Sequence, residues 1–128
     1  MPNPFEIEVL PGEFKEFSVV RGRGAYDREK ILELQRVSWD TASKDPQGKV
    51  LIDVREMTGV TPVNDRYPAG VYIAKLQAEF PAARRVAVVG SPPLIDGRRL
   101  VDAVAWNRGA NIRTFLDLEE AVEWLKAE

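Results

Sequence analysis

The residues best suited to chemistry lie within and just after a short apolar run in the middle of the chain, Val50 to Val54. Asp53 lies inside this run, and an ionised carboxylate there is costly unless it is hydrogen-bonded. It is therefore either a ligand contact or general base, or a structural acceptor that holds the following loop around Thr58 and Gly59. We favour the structural role for Asp53.

The predicted working surface consists of polar residues that come after the buried strands. These candidate ligand or partner contacts are Asp53, Arg55, Thr58, Thr61, Asp65, Arg66 and Ser91. In an open parallel sheet, the loops at the carboxyl ends of the strands are the usual place for a ligand or partner. Asp65 and Arg66 stand near a predicted helix start and can bind an anion there, but a helix cap and a solvated ion pair are the simpler interpretation.

Two further motifs suggest chemistry but have simpler explanations. Arg21-Gly22-Arg23-Gly24 offers amides and guanidinium groups to a phosphate, yet it lacks the glycine spacing and the Lys-Ser/Thr ending of a phosphate loop. A tight turn with solvated arginines is the favoured interpretation. The adjacent acids Glu119 and Glu120 fit a helix start, where the macrodipole favours negative charge, better than a hydrolase pair.

The composition excludes most familiar catalytic sites. The 128 residues contain no cysteine and no histidine, which removes thiolate nucleophiles, Ser-His-Asp triads and the usual zinc ligands. We therefore expect no enzymatic activity, no cofactor and no metal site. The 18 basic and 20 acidic residues are spread along the chain and give a net charge of -2, so nucleic acid is not an expected partner.

Length and hydropathy predict one domain in the cytoplasm. A chain of this length can bury a single core, so residues 1–128 are expected to form one domain. Met1 to Glu6 carries no basic region followed by an apolar core. No apolar run approaches the roughly twenty residues that are needed to cross a bilayer.

The opening of the chain predicts two strands. Phe5 to Leu10 has apolar residues at every second position, the period of a strand with one wet face. Pro11-Gly12 predicts a turn, because proline fixes a negative φ and glycine accepts a positive one. A second strand is predicted from Glu16 to Arg21, and Arg21 to Gly24 is expected to end it.

Helices and strands alternate along the rest of the chain. Four helices are predicted: from Asp27 to the breaker at Asp45-Pro46, from near Tyr67 to Pro81, from near Asp96 to Asn107, and from Asp117 onward. Three strands are predicted between them, at Val50–Val54, Arg85–Gly90 and Asn111–Leu116. Asn64 or Asp65 can cap the second helix, but Pro68 favours a start near Tyr67, since proline fits best in a first turn. Gly109 is predicted to C-cap the third helix, and Asp117 with Glu120 has the spacing of a capping box at the start of the fourth. The order β-β-α-β-α-β-α-β-α predicts an α/β domain with a mainly parallel sheet and an antiparallel edge strand.

Three stretches together resemble the STAS-like group, the SpoIIAA-like (anti-sigma factor antagonist-like) domains. They are the strand Leu51-Ile52-Asp53-Val54, the loop Thr58-Gly59-Val60-Thr61, and the run from Asn107 to Phe115 that leads into Asp117-Leu118-Glu119-Glu120-Ala121. Within that group the chain resembles the small bacterial STAS/SEC14-type proteins, over nearly its whole length. The resemblance implies relatives that are binding modules and switches, some contacting protein regulators and some, in the lipid-transfer branch, holding an apolar ligand.

The sequence departs from this family at its phosphorylation motif. Regulatory members carry Asp-Ser-x-Gly at the start of the helix after the central strand, and the serine is phosphorylated. The corresponding stretch here, Val60 to Tyr67, contains no serine. Thr61 is the nearest hydroxyl, but it precedes Pro62 and lies outside any matching motif. We therefore do not carry the phosphoswitch over to this chain.

The resemblance implies a non-enzymatic binding or regulatory module that acts on a protein partner or on a second copy in a homodimer. The alternative is a carrier of a small apolar or amphipathic ligand, and an enzyme that uses Asp53 with Arg55 or Arg66 ranks last. Sequential right-handed crossovers place all the crossover helices on one face of the sheet. The other apolar face then needs a cover, which is a second copy, a ligand, the N-terminal segment or a terminal helix of the chain itself.

Overall fold

The computed structural model describes residues 5–14, 16–95 and 100–127. Its elements are β1 (Glu6–Phe14), β2 (Phe17–Ala25), α1 (Arg28–Lys44), β3 (Lys49–Thr58), α2 (Val63–Glu79), β4 (Arg85–Val89), α3 (Leu100–Asn107), β5 (Ile112–Phe115) and α4 (Leu118–Lys126). This order confirms the predicted succession of strands and helices. No helix in this part of the chain is long and apolar enough to span a bilayer.

The five strands form one sheet in the spatial order β1-β2-β3-β4-β5. The β1 and β2 strands pair antiparallel, and the other three pairings are parallel. The predicted mainly parallel sheet with an antiparallel edge strand is therefore confirmed. The central strand β3 pairs with β2 on one side and β4 on the other, so that Asp53 lies opposite both Arg21 and Val89.

Helices α1, α2 and α3 cover one face of the sheet. The strand residues Val20, Val50, Ile52, Val54 and Val88 on this face pack in a single buried cluster with Leu34, Trp39, Ile73, Leu76 and Ala105 from the three helices. Parallel strands that are adjacent in both sequence and space place their crossovers on the same side of the sheet. The observed packing follows this rule.

Helix α4 covers the opposite face of the sheet. Phe17, Val19, Leu51, Ala87, Val89 and Phe115 form a second buried cluster there with Ala121 and Leu125 of α4. The terminal helix is thus the cover that the sequence requires. Of the four covers that the sequence left open, the terminal helix is the one observed, and a second copy or an apolar ligand is not needed to bury this face.

Contacts at both ends hold α4 in place. The Asp117 carboxylate caps its start by accepting from the Glu119 and Glu120 amides at 2.7 and 3.3 Å, which confirms the predicted cap. At its end, Arg85 Nη1 donates to the carbonyls of Trp124 and Ala127 at 2.5 and 2.6 Å. A cation near the last carbonyls of a helix also interacts favourably with the helix dipole.

The opening hairpin differs from its prediction at both glycine-containing motifs. The predicted turn at Pro11-Gly12 is wrong, because β1 continues to Phe14, which pairs with Phe17, and a register shift falls between Leu10 and Phe14. Proline is tolerated in an edge strand at such an irregularity. Strand β2 likewise runs through Gly22 to Ala25 instead of ending at Arg21.

Gly22 has a packing reason for its place in the strand. A Cβ there would come within 2.9 Å of Leu34 Cδ2. The residue therefore lets α1 approach β2 closely. The run Arg21 to Gly24 is strand, so the predicted tight turn there is wrong.

Helix α2 begins earlier than predicted. Its first residue is Val63, with Pro62 as N-cap and Pro68 inside the helix, so the predicted start near Tyr67 and the predicted caps Asn64 and Asp65 are wrong. Proline prefers the first turn. Here the packing of α2 on the sheet and α3 outweighs the hydrogen bond that Pro68 cannot donate.

The remaining boundaries agree closely with the sequence. Helix α3 ends at Asn107, followed by Gly109 in the predicted C-cap position with φ of +96°. The predicted start of this helix near Asp96 lies outside the described residues. Strand β3 extends to Thr58, past the end of its apolar run, and β5 is one residue shorter at each end than predicted.

Gly70 provides a test of the α2–α3 packing. A Cβ at this position would lie 2.6 Å from Val104 Cβ and 3.0 Å from the Val101 carbonyl oxygen. Gly70→Ala should therefore destabilise the protein by about 1–3 kcal/mol in chemical denaturation. Helix propensity alone predicts the opposite sign, a gain of up to about 1 kcal/mol. The pair Lys75→Ala and Lys75→Gly, at an exposed position of α2, measures that propensity difference; a stabilised Gly70→Ala variant would disprove the close approach.

Candidate functional site

Asp53 is held by two arginines at the carboxyl end of the central strand. Only 4% of this residue is exposed. Arg55 Nε and Nη2 donate to its two carboxylate oxygens at 3.0 and 2.9 Å, and Arg21 Nε lies 3.5 Å from Oδ2. The predicted structural role of the carboxylate thus involves the arginines and not the loop at Thr58 and Gly59.

A bulge in β3 explains why Arg55 reaches Asp53. Arg21 pairs with Asp53 but Arg23 pairs with Glu56, so β3 contains one residue more than β2 between these pairs. A bulge leaves backbone groups outside the regular ladder. The Arg55 amide is satisfied instead by Asp53 Oδ1 at 3.1 Å.

Electrostatics keep Asp53 ionised. Burial alone would raise its pKa, but the hydrogen bonds and positive charge of Arg55, together with the charge of Arg21, outweigh burial and hold the pKa of Asp53 below its usual value. A carboxylate with a lowered pKa is a poor general base near neutral pH. The lowered pKa therefore argues against the hypothesis that Asp53 acts as a general base.

The sheet separates the predicted site residues into two groups. Asp53 and Arg55 share the face of Leu51, since alternate strand residues point to the same side. Thr61 and Arg66 instead line a space beside Ile52, on the face that α1, α2 and α3 cover. The structure does not bring the predicted residues together into one site.

The segment between β3 and α2 is tied down by several polar contacts. The Tyr26 amide donates to the Thr58 carbonyl at 2.8 Å. The Tyr26 hydroxyl donates to Asp65 at 2.8 Å, and burial together with this hydrogen bond raises the pKa of Tyr26 to about 12. Arg66 Nε and Nη2 donate to the Thr61 carbonyl at 3.3 and 3.2 Å. Asp65 is therefore a partner of Tyr26 and not the helix cap.

The loop after β4 lies next to this segment. The Thr61 hydroxyl donates to the Leu94 carbonyl at 3.4 Å, a long hydrogen bond that joins the two loops. Leu94 is buried, whereas Ser91, the last of the predicted contact residues, is exposed. Ser91 thus stands at the same edge of the sheet as Thr61, as predicted for residues that follow parallel strands.

A cavity of about 110 Å³ lies beneath these two loops, between the sheet and the three helices of that face. Aliphatic side chains form most of its wall. Three polar residues of the wall, Gln35, Asp102 and Thr114, are not among the residues predicted from the sequence. Only Asp102 leaves a signal in the sequence, a carboxylate within an apolar helical segment, which resembles the signal of Asp53.

Within residues 5–14, 16–95 and 100–127, no group of three His, Cys, Asp or Glu side chains could hold a metal ion. The hydroxyl groups of Thr61 and Thr114 donate to the Leu94 carbonyl and to the Asp102 carboxylate.

Asp53 provides a test of the arginine cluster. Asp53→Ala should destabilise the fold by about 1–3 kcal/mol, because the Arg55 amide and two guanidinium groups lose their acceptor. Since folding lowers the pKa of Asp53, its contribution is fully present above the unfolded pKa of about 4 and is lost as the pH falls through the lower folded value. Denaturant midpoints of both proteins should therefore converge in acid.

The matched control is Asp40→Ala, which removes an exposed ion pair with Lys44 on α1. Its effect should stay within about 0.5 kcal/mol. Equal midpoints for the Asp53→Ala variant and the unmodified protein at neutral pH would contradict the structural role of Asp53.

Comparison with known proteins places the chain in a family. The sequence profile of the SpoIIAA-like family matches residues 18–126. An anti-sigma factor antagonist from Mycobacterium paratuberculosis has a similar structure, with a TM-score of 0.61 and 16% identity over 99% of this chain and 100% of that chain. A SpoIIAA-like protein from Shewanella loihica is similar at a TM-score of 0.49 and 18% identity, over 98% of each chain.

No curated protein matches the sequence. The solved anti-sigma factor antagonist nevertheless has the same fold over the full length of both chains, and the profile match spans all elements from β2 to α4. The chain belongs to the SpoIIAA-like family.

Proposed function

We propose that this protein is a non-enzymatic binding module that docks a regulatory protein partner through the segment joining β3 to α2. The observation that carries the proposal is a set of apolar side chains exposed there: Val60, Val63 and Tyr67 are 51%, 70% and 55% exposed. We call these three residues the β3–α2 surface. Apolar side chains grouped on one surface segment are typical of interaction sites.

The backbone that presents this surface is held rigidly. Arg108 Nη2 donates to the Tyr67 hydroxyl at 2.6 Å, and the guanidinium carbon lies 5.7 Å from the ring centroid. The Asp65–Tyr26 and Arg66–Thr61 hydrogen bonds fix the turns on either side. A surface that is ordered before binding loses less conformational entropy when a partner docks.

A groove of about 370 Å³ extends from Tyr67 between α1 and α2. Tyr26 and Tyr72 line it, with Arg28, Lys75 and Asp65 at the same groove, and the Asp65 carboxylate accepts from the Tyr26 hydroxyl. Tyrosine and arginine are enriched in protein interfaces. The groove therefore suits a partner segment that combines an apolar side chain with an acidic one.

The family supports a function exercised through another protein. The similar structure from Mycobacterium paratuberculosis is, by its name, an antagonist of an anti-sigma factor. For the present chain we propose the same kind of action, on a protein regulator in the cytoplasm. Thr58, Thr61, Asp65, Arg66 and Ser91 lie in or beside the docking segment, whereas Asp53 and Arg55 lie on the opposite face and serve the fold. A second copy of the chain is the competing occupant.

The test compares the same substitution at two exposed valines, Val63 in the β3–α2 surface and Val9 on β1. Val63→Asp should lower partner affinity by at least about tenfold, because it places a charge in the apolar contact. Val9→Asp, at a valine 42% exposed on β1, should leave the affinity unchanged. The partner is first captured by a photo-crosslinker at position 63, then purified and titrated against both variants.

Three results decide between the readings. Loss of affinity for Val63→Asp alone supports the proposal. A crosslinked product with twice the mass of the chain assigns the surface to a homodimer instead. Equal affinities of the two variants for the purified partner, with unchanged melting temperatures, would place the interface elsewhere.

Phosphorylation is not expected to switch this module. No serine stands between Val60 and Tyr67, and the Thr61 hydroxyl is directed to the Leu94 carbonyl. Incubation with kinases of the source organism should leave the intact mass unchanged. A stoichiometric phosphate mapped to Thr61 would contradict this expectation and restore the switch of the family at a different residue.

A further inference from the structure

The groove between α1 and α2 is lined by every tyrosine of the chain. Tyr26, Tyr67 and Tyr72 all border it, and the chain contains three tyrosines in total. Apolar side chains from both helices, among them Ile31 and Pro68, complete its wall. Grooves lined by aromatic rings are one of the recurring ways in which proteins bind a peptide segment. The groove is therefore a candidate for the place where a segment of the partner docks.

The groove has a defined length. At one end the Tyr26 hydroxyl donates to Asp65 at 2.8 Å. Beyond the other end, Arg36 Nη1 and Nη2 of α1 donate to Glu79 of α2 at 3.3 and 2.8 Å and join the two helices. Lys75 is the last residue of α2 that lines the groove. A rise of about 1.5 Å per residue puts Asp65 and Lys75 about 15 Å apart along α2, which matches about five extended residues at about 3.1 Å each.

Two of the tyrosine hydroxyls keep a proton to donate. Arg108 Nη2 donates to the Tyr67 hydroxyl at 2.6 Å, so the Tyr67 oxygen is the acceptor in that bond. The Tyr72 hydroxyl accepts from Arg36, and this bond, after the stronger one to Glu79, raises the pKa of Arg36. Neither hydroxyl donates to an acceptor within the part of the chain that the structure describes. Carbonyl oxygens of a bound segment would satisfy both donors.

The groove carries more positive than negative charge. Arg28 and Lys75 are exposed at it, and neither forms an ion pair with another described residue. The negative charge of Asp65 lies beside Tyr26, at the same end as Arg28. Lys75 lies at the other end, where the carboxylate of Glu79 is already bound to an arginine of α1. An acidic residue of a partner therefore finds its complementary charge at Lys75.

We propose that the docking segment of the partner is a proline-rich stretch in the polyproline II conformation, with an acidic residue that pairs with Lys75. This inference rests on the proposed function and adds the chemistry of the partner. Polyproline II backbone has no internal hydrogen bonds, so its carbonyl oxygens are free to accept from Tyr67 and Tyr72.

The two other common forms of a docked segment fit the groove less well. The carbonyls of a helix are already bonded within the helix, so a partner helix offers the tyrosine hydroxyls few acceptors. Strand addition requires the edge of a sheet. The described residues that line the groove belong instead to α1, to α2 and to the joining segment at Tyr26.

The experiment follows the ring signals of the tyrosines by NMR while short synthetic peptides are added. Because all three tyrosines line the groove, protein labelled only at tyrosine reports binding there directly. The peptide Pro-Leu-Pro-Pro-Pro-Glu, blocked at both ends, should shift the Tyr67 and Tyr72 signals. Its version with alanine in place of every proline should bind at least about tenfold more weakly, because a flexible chain must be ordered on binding. Its version with Gln in place of Glu should bind about two- to fivefold more weakly, as expected for an exposed ion pair.

Variants of the protein locate the contacts. Lys75→Gln should remove the preference for the Glu peptide over the Gln peptide. The matched control Lys44→Gln, at an exposed lysine in the last turn of α1 that does not line the groove, should keep this preference. Tyr72→Phe should weaken binding of the proline peptide by about fivefold, because a hydroxyl donor is lost while the ring stays. The lysine pair decides the matter if Tyr72→Phe lowers the melting temperature.

Several results would overturn the inference. Unchanged tyrosine signals at millimolar peptide would remove the site, equal affinity for the proline and alanine peptides would exclude the polyproline II conformation, and equal affinity for the Glu and Gln peptides would exclude the acidic contact. If one of these results occurs while Val63→Asp still lowers the affinity for the crosslinked partner, only the chemistry of the docking segment is wrong. If the peptides bind as expected and Val63→Asp has no effect, the proposed β3–α2 surface is wrong and the groove is a separate peptide site.

Discussion

The fold depends on burying both faces of one strand. Val50, Leu51, Ile52 and Val54 of β3 are each at most 5% exposed, although neighbouring residues point to opposite sides of the sheet. Each such side chain stabilises the fold by roughly 2 kcal/mol when it is removed from water. A layer of helices on one face therefore needs a second layer on the other. Helices α1, α2 and α3 form the first, and α4 alone forms the second.

This constraint also determines where the strand can carry polar groups. After Val54 the continuous burial ends, since Arg55 and Glu56 are exposed. The bulge turns Arg55 back toward Asp53, so that the buried carboxylate of this strand is neutralised by its first exposed arginine. At this end of β3, the Asp53 carboxylate is thus paired with the guanidinium groups of Arg55 and Arg21. A buried ion is retained at low cost only when its partners are all in place. The cluster is better explained as the end of the core than as a site.

The other face of the sheet carries exposed apolar side chains and a cavity, which the Asp53 cluster lacks. The start of α2 presents Val63 and Tyr67 to solvent while Arg66, from the same turn, borders the cavity beneath. One short segment thus borders both an exposed apolar surface and a partly open aliphatic cavity.

The sequence by itself determined the order of elements, the antiparallel edge and the Asp117 cap, because these follow from local periodicity and capping residues that act within a few positions. The family was indicated separately, by the resemblance of three stretches of the chain to its members. It also indicated that Asp53 needs a partner and that a terminal helix can cover the second face. Only the tertiary structure decided the rest. Pro68 lies inside α2 because packing outweighs local preference, and Pro11 lies inside β1 at the register shift of an edge strand. Asp53 and Arg66 lie on opposite faces of the sheet. Strand parity directs Asp53 to the face of Leu51, whereas the right-handed crossover places α2, and with it Arg66, on the face of Ile52.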